Sequence, residues 1–178
     1  DSRESFARFV VAQYLFQSEL QALYNDPQLI AIVPDLAERC RADQARLDLA
    51  DLDTEVPAAV PGAVGKPSLG EAMGWIFVSE GSKLGAAFLI KRAVALELSD
   101  SFGARHLAAA PEGRARHWKA FVEQVDTLDL DDAEEQRLFA AGRAAFQRDR
   151  GRGGLRSPQG GGDAGIWCGH VRGGSSPA

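Results

Sequence analysis

The chain has 178 residues, 45% hydrophobic and 25% charged, with a net charge of −5 and a pI near 5.2. That is length enough for one real core, with the composition of an ordinary soluble globular domain. The acidic balance argues against a nucleic-acid surface, no apolar run approaches the ~18 residues of a membrane span, and nothing at the start reads as a signal peptide. Cys40 and Cys168 lie far apart in segments of different character, so no disulfide is expected and a reducing cytoplasm is the default.

Residues 2–24 carry Phe6, Phe9, Val10, Leu15, Phe16, Leu20 and Leu23 at mostly three- and four-residue spacing, which predicts an amphipathic helix. Gln13 and Gln17 point the same way on it, either as surface amides or facing a wet cavity. Asp26-Pro27 caps a short second helix that Val33-Pro34 breaks. A third helix is expected over 35–49, with Leu36, Ala37, Cys40 and Leu47 inward and Arg39, Arg41 and Arg46 mostly solvated. An arginine pointing inward there would need a carboxylate or a polar cavity.

Residues 50–67 hold three prolines and two glycines and read as a loop. Ser68 and Glu71 then form a capping box, opening a long central helix expected to run to about Leu98. After a connector over 100–110 with Gly103 and His106, a helix opens at Pro111 or Glu112 and carries Trp118, Phe121 and Val122. Asp131 or Asp132 caps a last helix through Leu138, Phe139, Ala141 and Phe146. No segment reads as a strand. From about Arg148 the apolar period stops; residues 151–178 hold ten of the 19 glycines. Such a tail buries too little surface to offset the entropy of ordering it. Its abrupt onset suggests a chain end that is not the ancestral one.

Familiar catalytic signatures are missing: no HExxH, no CxxC pair, no P-loop and no nucleophile elbow. His106, His117 and His170 are scattered and read as bystanders. The informative stretch is 74–96, GWIFVSEGSKLGAAFLIKRAVAL. Gly81 and Gly85 lie one turn apart on one face, although a glycine inside a helix costs about 1 kcal/mol relative to alanine. Either another helix packs closely there or a flat ligand rests on bare backbone. Ser79 and Ser82 flank the patch, where a hydroxyl can bond back to a carbonyl and bend the helix. Phe77 sits one turn upstream. Lys91 and Arg92 stand downstream as a solvated helix end or as partners for an anionic group.

The run GWIFVSEGSKLGAAFL closely resembles the distal helix of the bacterial biliverdin-producing heme oxygenases. SFARFVVAQYLFQ, RADQARLDLADL, SFGARHLA and HWKAFV extend the resemblance over 1–147. It implies a single-domain, all-α fold in which a long, kinked distal helix covers one face of a heme. It also implies oxidation of that heme, at once substrate and cofactor, to biliverdin, CO and ferrous iron with O2 and an electron donor. Carried onto matching positions, Gly81, Gly85 and Ser82 form the catalytic distal surface. Phe77 walls the pocket, and Arg92 stands near a propionate. Gln13, Gln17, Arg41 and Trp118 shape the distal water network. Glycine backbone in place of an acid suits hydroxylation of the porphyrin edge, the hard chemistry being the cofactor's own.

The resemblance also marks two departures. The family's iron-binding histidine lies upstream of the segment that residues 1–5 resemble, and none of His106, His117 and His170 matches it, so no metal ligand is assigned. The family's final helix is replaced by the glycine-rich stretch 148–178. The expectation is therefore an N-terminally incomplete, weakly active form, with a non-catalytic heme-binding or helical interaction module as the alternative. Neither a nucleic acid nor a membrane is expected as a partner.

Overall fold

The computed structural model describes residues 2–59 and 64–152. Their regular elements are all helices, with isolated bridges at Ser99 as the only extended pairing among them. Most of the expected glycine-rich tail and Cys168 and His170 lie outside the described residues.

α1 (Arg3–Tyr24) is capped by Ser2, whose hydroxyl accepts from the Ser5 amide. α2 (Pro27–Ile32) starts on Asp26 with proline in its first turn, as the sequence predicts. The single helix expected over 35–49 is two: α3 (Leu36–Arg39) and α4 (Ala42–Asp51), separated by Cys40 in extended backbone. The break rotates the arginines out of the expected register. Arg39 is 2% exposed and Leu47 is 45% exposed, the reverse of the amphipathic reading. Arg39 can be buried because Asp35 and Glu80 meet it at 2.9 and 3.1 Å, the carboxylate partners a buried arginine requires.

α5 (Leu69–Ser82) begins at the Ser68–Glu71 capping box. Rather than continuing unbroken, the backbone tightens into a 3-10 turn at Lys83–Gly85 and resumes as α6 (Ala86–Val94), four residues short of the expected end. Ser82 Oγ donates to the Ser79 carbonyl at 2.8 Å just before the tightening, a bond that competes with the helical ladder and bends it. The connector carries a second 3-10 turn, Arg105–Leu107. α7 (Arg114–Val125) starts after Gly113, whose φ of +92° suits only glycine, so it opens slightly later than Pro111 or Glu112. α8 (Asp132–Gly151) is capped by Asp131.

α8 lies along α5, and glycine sets their separation. A Cβ on Gly70 would stand 2.2 Å from the Glu134 carbonyl oxygen, and one on Gly74 would stand 2.3 Å from that of Leu138. Glu134 in turn accepts from the Gly70 amide at 2.7 Å and from Ser68 Oγ at 2.8 Å, so α8 caps α5. The apolar residues form two clusters. One gathers Phe16, Leu20, Tyr24, Leu36, Met73, Ile76 and Phe121 around α5. The other gathers Phe6, Val10, Ala45, Leu49, Leu89, Ala93 and Leu107 around α6. The Lys83–Gly85 turn falls between them, and so does most of the buried polar chemistry.

Candidate functional site

The two glycines singled out in the sequence sit on either side of this junction. Gly81 is buried at the end of α5 and Gly85 half-buried at the close of the 3-10 turn. Phe88 and Arg92 follow at three- and four-residue steps on α6, so all four fall on one helical face. Phe88 is 74% exposed and Leu84 beside it 40% exposed. An exposed aromatic next to bare backbone is a flat apolar surface ending in a cation. Arg92 and Lys91 are both exposed beyond it.

Behind this surface, a hydrogen-bond chain holds the junction. The Arg41 amide donates to Gln17 Oε1 at 2.9 Å, and Gln17 Nε2 donates to Ser79 Oγ at 2.8 Å. Tyr24 Oη lies 2.7 Å from Ser79 Oγ and donates to Glu80 Oε1 at 2.7 Å. With its one proton on Glu80, Tyr24 must accept from Ser79, so every donor in the chain runs toward the Glu80 carboxylate. Arg39 and Lys83 pair with that carboxylate. Burial, then the Glu80 charge, push the Tyr24 hydroxyl well above its ordinary value. Burial also lowers Lys83, although its ion pair with Glu80 opposes the shift. Ser79 and Glu80 are fixed against α1 in this way while Gly81 and Gly85 are turned elsewhere on the helix.

A cleft between α1, α4 and α6 brings together Gln13, Gln17, Arg41 and Ser82, four of the residues expected at the site. Trp118 is not among its walls. It packs edge-on against Phe77 with ring centroids 5.1 Å apart, and both rings rest on Phe121. Trp118 instead lines a neighbouring cleft, which shares Arg41.

The sequence reading missed two residues on the first cleft. His106, set aside as a bystander, is buried, with Nδ1 2.8 Å from Asp48 Oδ2. The Asp48 carboxylate accepts from Nδ1; among the described residues Nε2 is buried without a hydrogen-bond partner, and the ring lines the cleft. Burial alone would raise Asp48, but hydrogen bonds from the His106 ring and from the His106 and Arg105 amides outweigh it and lower the carboxyl. Asp149, from the end of α8, accepts from Gln13 Nε2 at 3.1 Å, and burial raises its carboxyl despite that bond. No spacing rule links His106 with Asp48 or Gln13 with Asp149; only the packing of distant helices does. His117, the other described histidine, pairs through Nδ1 with Glu112 at 2.7 Å. Among the described residues no His, Cys, Asp and Glu are grouped to hold a metal ion. No described helix is long and apolar enough to cross a membrane.

Comparison with known proteins gives three concordant findings. The sequence profile of the heme oxygenase family matches residues 1–150. The chain is 55% identical over 149 residues to the heme oxygenase PigA of Pseudomonas aeruginosa, a match spanning 83% of this chain and 75% of that protein. Among solved structures it is similar to the NO- and CO-bound heme oxygenase of Neisseria meningitidis, with a TM-score of 0.77 and 33% identity, over 87% of this chain and 80% of that one.

Proposed function

The chain belongs to the heme oxygenase family, and on that premise we propose that it degrades heme to biliverdin, CO and ferrous iron using O2 and an electron donor. Heme is the substrate and carries the oxidative chemistry itself. The line of Gly81, Gly85, Phe88 and Arg92, buried at its first glycine and exposed from Phe88 onward, is the observation that supports the placement of the site. Gly81 and Gly85 let the porphyrin plane approach the backbone, where a side chain would hold it away. Phe88 covers apolar ring surface, and Arg92 meets a propionate carboxylate. Phe77, one turn before Gly81, walls the pocket and packs against Trp118 and Phe121.

Ser82, Gln13, Gln17 and Arg41 provide polar groups at the side of the distal helix, with His106 Nε2 as a further polar atom on the same cleft. No acid stands at Gly81 or Gly85 themselves, so protons would be supplied from groups at the side of the helix rather than from the glycine surface. The Glu80 network ties Ser79 and the end of α5 to α1 and α3. The electron donor is a separate reductant, and a reducing cytoplasm suits both that requirement and the free thiol of Cys40.

Hemin mixed with the protein, O2 and ascorbate or a flavin reductase tests the reading. The expected products are biliverdin, identified chromatographically, and CO trapped by reduced myoglobin. Heme loss without either product would overturn it.

A further inference from the structure

Arg41 and Arg114 meet on the second cleft, and among the described residues neither has a carboxylate partner. Arg41 stands at the break before α4, and Arg114 opens α7. Adjacent carbonyls draw their guanidinium groups together: Arg41 Nη2 donates to Ala108 O at 3.3 Å, and Arg114 Nη2 donates to Leu107 O. Arg114 Nη1 also reaches Lys83 O at 3.5 Å. Arg41 Nε is buried and has no acceptor. Burial, then the charge of Arg41, lower the proton affinity of Arg114, as expected of like charges left facing one another.

The remaining charges around the cleft are already matched. Glu80 is paired with Arg39 and Lys83, and Arg39 also takes Asp35, so those four groups sum to zero. His117 is engaged by Glu112. Arg41 and Arg114 therefore stand as two positive charges in excess. Trp118, Leu84 and Ala110 supply an apolar wall that would exclude water from an ion held between them. Two guanidinium forks converging without a carboxylate are the donor set of an anion site.

We propose that the Arg41–Arg114 cleft binds one small monovalent anion, a halide or an oxyanion the size of formate. The anion accepts from both guanidinium groups and relieves their repulsion. Because Arg41 also lines the cleft beneath Ser82, a bound anion fixes the guanidinium on that wall. The site stands independently of heme chemistry and is tested on protein without heme.

Trp118 in the cleft wall reports occupancy. Iodide is titrated at constant ionic strength against the bulky MES anion, and tryptophan fluorescence is read. A saturable quenching component is expected, reversed by formate and absent from Trp118→Phe, Arg41→Gln and Arg114→Gln. Strictly linear quenching, or an unchanged saturable component in both glutamine variants, would overturn the proposal. A measurement that needs no variant guards against misfolding: formate should raise the melting temperature of the unmodified protein above its value in MES at equal ionic strength. Equal melting temperatures would also overturn it.

Discussion

Gly74 of α5 lies directly beneath the Leu138 carbonyl of α8: a Cβ at Gly74 would stand 2.3 Å from that oxygen and 2.9 Å from Ala141 Cβ. Backbone cannot yield as a flexible side chain can. Gly74→Ala should therefore destabilise the fold by about 1–3 kcal/mol despite the better helix propensity of alanine. Gly142, across the same seam, offers the contrast, since a Cβ there meets Val78 Cγ2 at an ordinary 3.7 Å. Gly142→Ala should be neutral or stabilising by up to about 1 kcal/mol. Urea unfolding of the two variants side by side checks the difference in sign.

Glu80 is the common acceptor for Tyr24, Arg39 and Lys83. Removing its charge leaves Arg39 buried without its inner carboxylate, so Glu80→Gln should cost about 3–5 kcal/mol. Tyr24→Phe removes one buried hydroxyl and should cost about 1–2 kcal/mol. In the double variant the two losses should fall short of additivity, because both act on one network. Equal and additive effects in denaturant titrations would contradict the donor chain.

The Asp48 carboxyl is lowered below its ordinary value of 3.8, since burial, which would raise it, is outweighed by hydrogen bonds from the His106 ring and the His106 and Arg105 amides. A depressed carboxyl contributes stability that is fully present above its unfolded value and is lost as pH falls through the folded one. Melting temperature should accordingly fall on acidification below about pH 4, and Asp48→Asn should flatten that part of the curve while lowering stability at neutral pH by about 3 kcal/mol. Glu19 acts in the same direction. Burial opposes its ionisation, but Arg148 and Arg152 outweigh this and lower its carboxyl. Glu19→Gln should remove a further share of the acid-dependent loss.

If the line from Gly81 to Arg92 receives the porphyrin plane, a side chain at its half-buried glycine must block it. Gly85→Leu should weaken hemin binding by roughly tenfold or more, a loss of about 1.4 kcal/mol per decade. Far-UV circular dichroism should be unchanged, because leucine is a good helix former. Hemin titration followed in the Soret band checks it; undiminished affinity in a folded variant would place the ligand elsewhere.

Local rules wrote much of this molecule into its sequence. The Ser68–Glu71 capping box, the Asp26-Pro27 helix start, the Asp131 cap and the helical class all follow from residues within one turn of each other. So does the placing of Gly81 and Gly85 one turn apart on one face. The resemblance of GWIFVSEGSKLGAAFL, rather than any periodicity, supplied heme.

Other features required the whole chain. Arg39 reads as a solvated helix residue until α5 places Glu80 against it, 41 positions away in sequence. His106 reads as a bystander until α4 brings Asp48 within 2.8 Å of its ring. Trp118 and Arg41 carry the same expected role in the sequence; packing sets both on one cleft, Trp118 against Phe77, while Arg41 alone also lines the cleft with Gln13, Gln17 and Ser82. The division has one physical cause. Caps, turns and face periodicity are fixed by interactions over three or four residues. Buried charge pairing is decided by which distant helices share a low-dielectric interior, where an unmatched charge costs several kcal/mol.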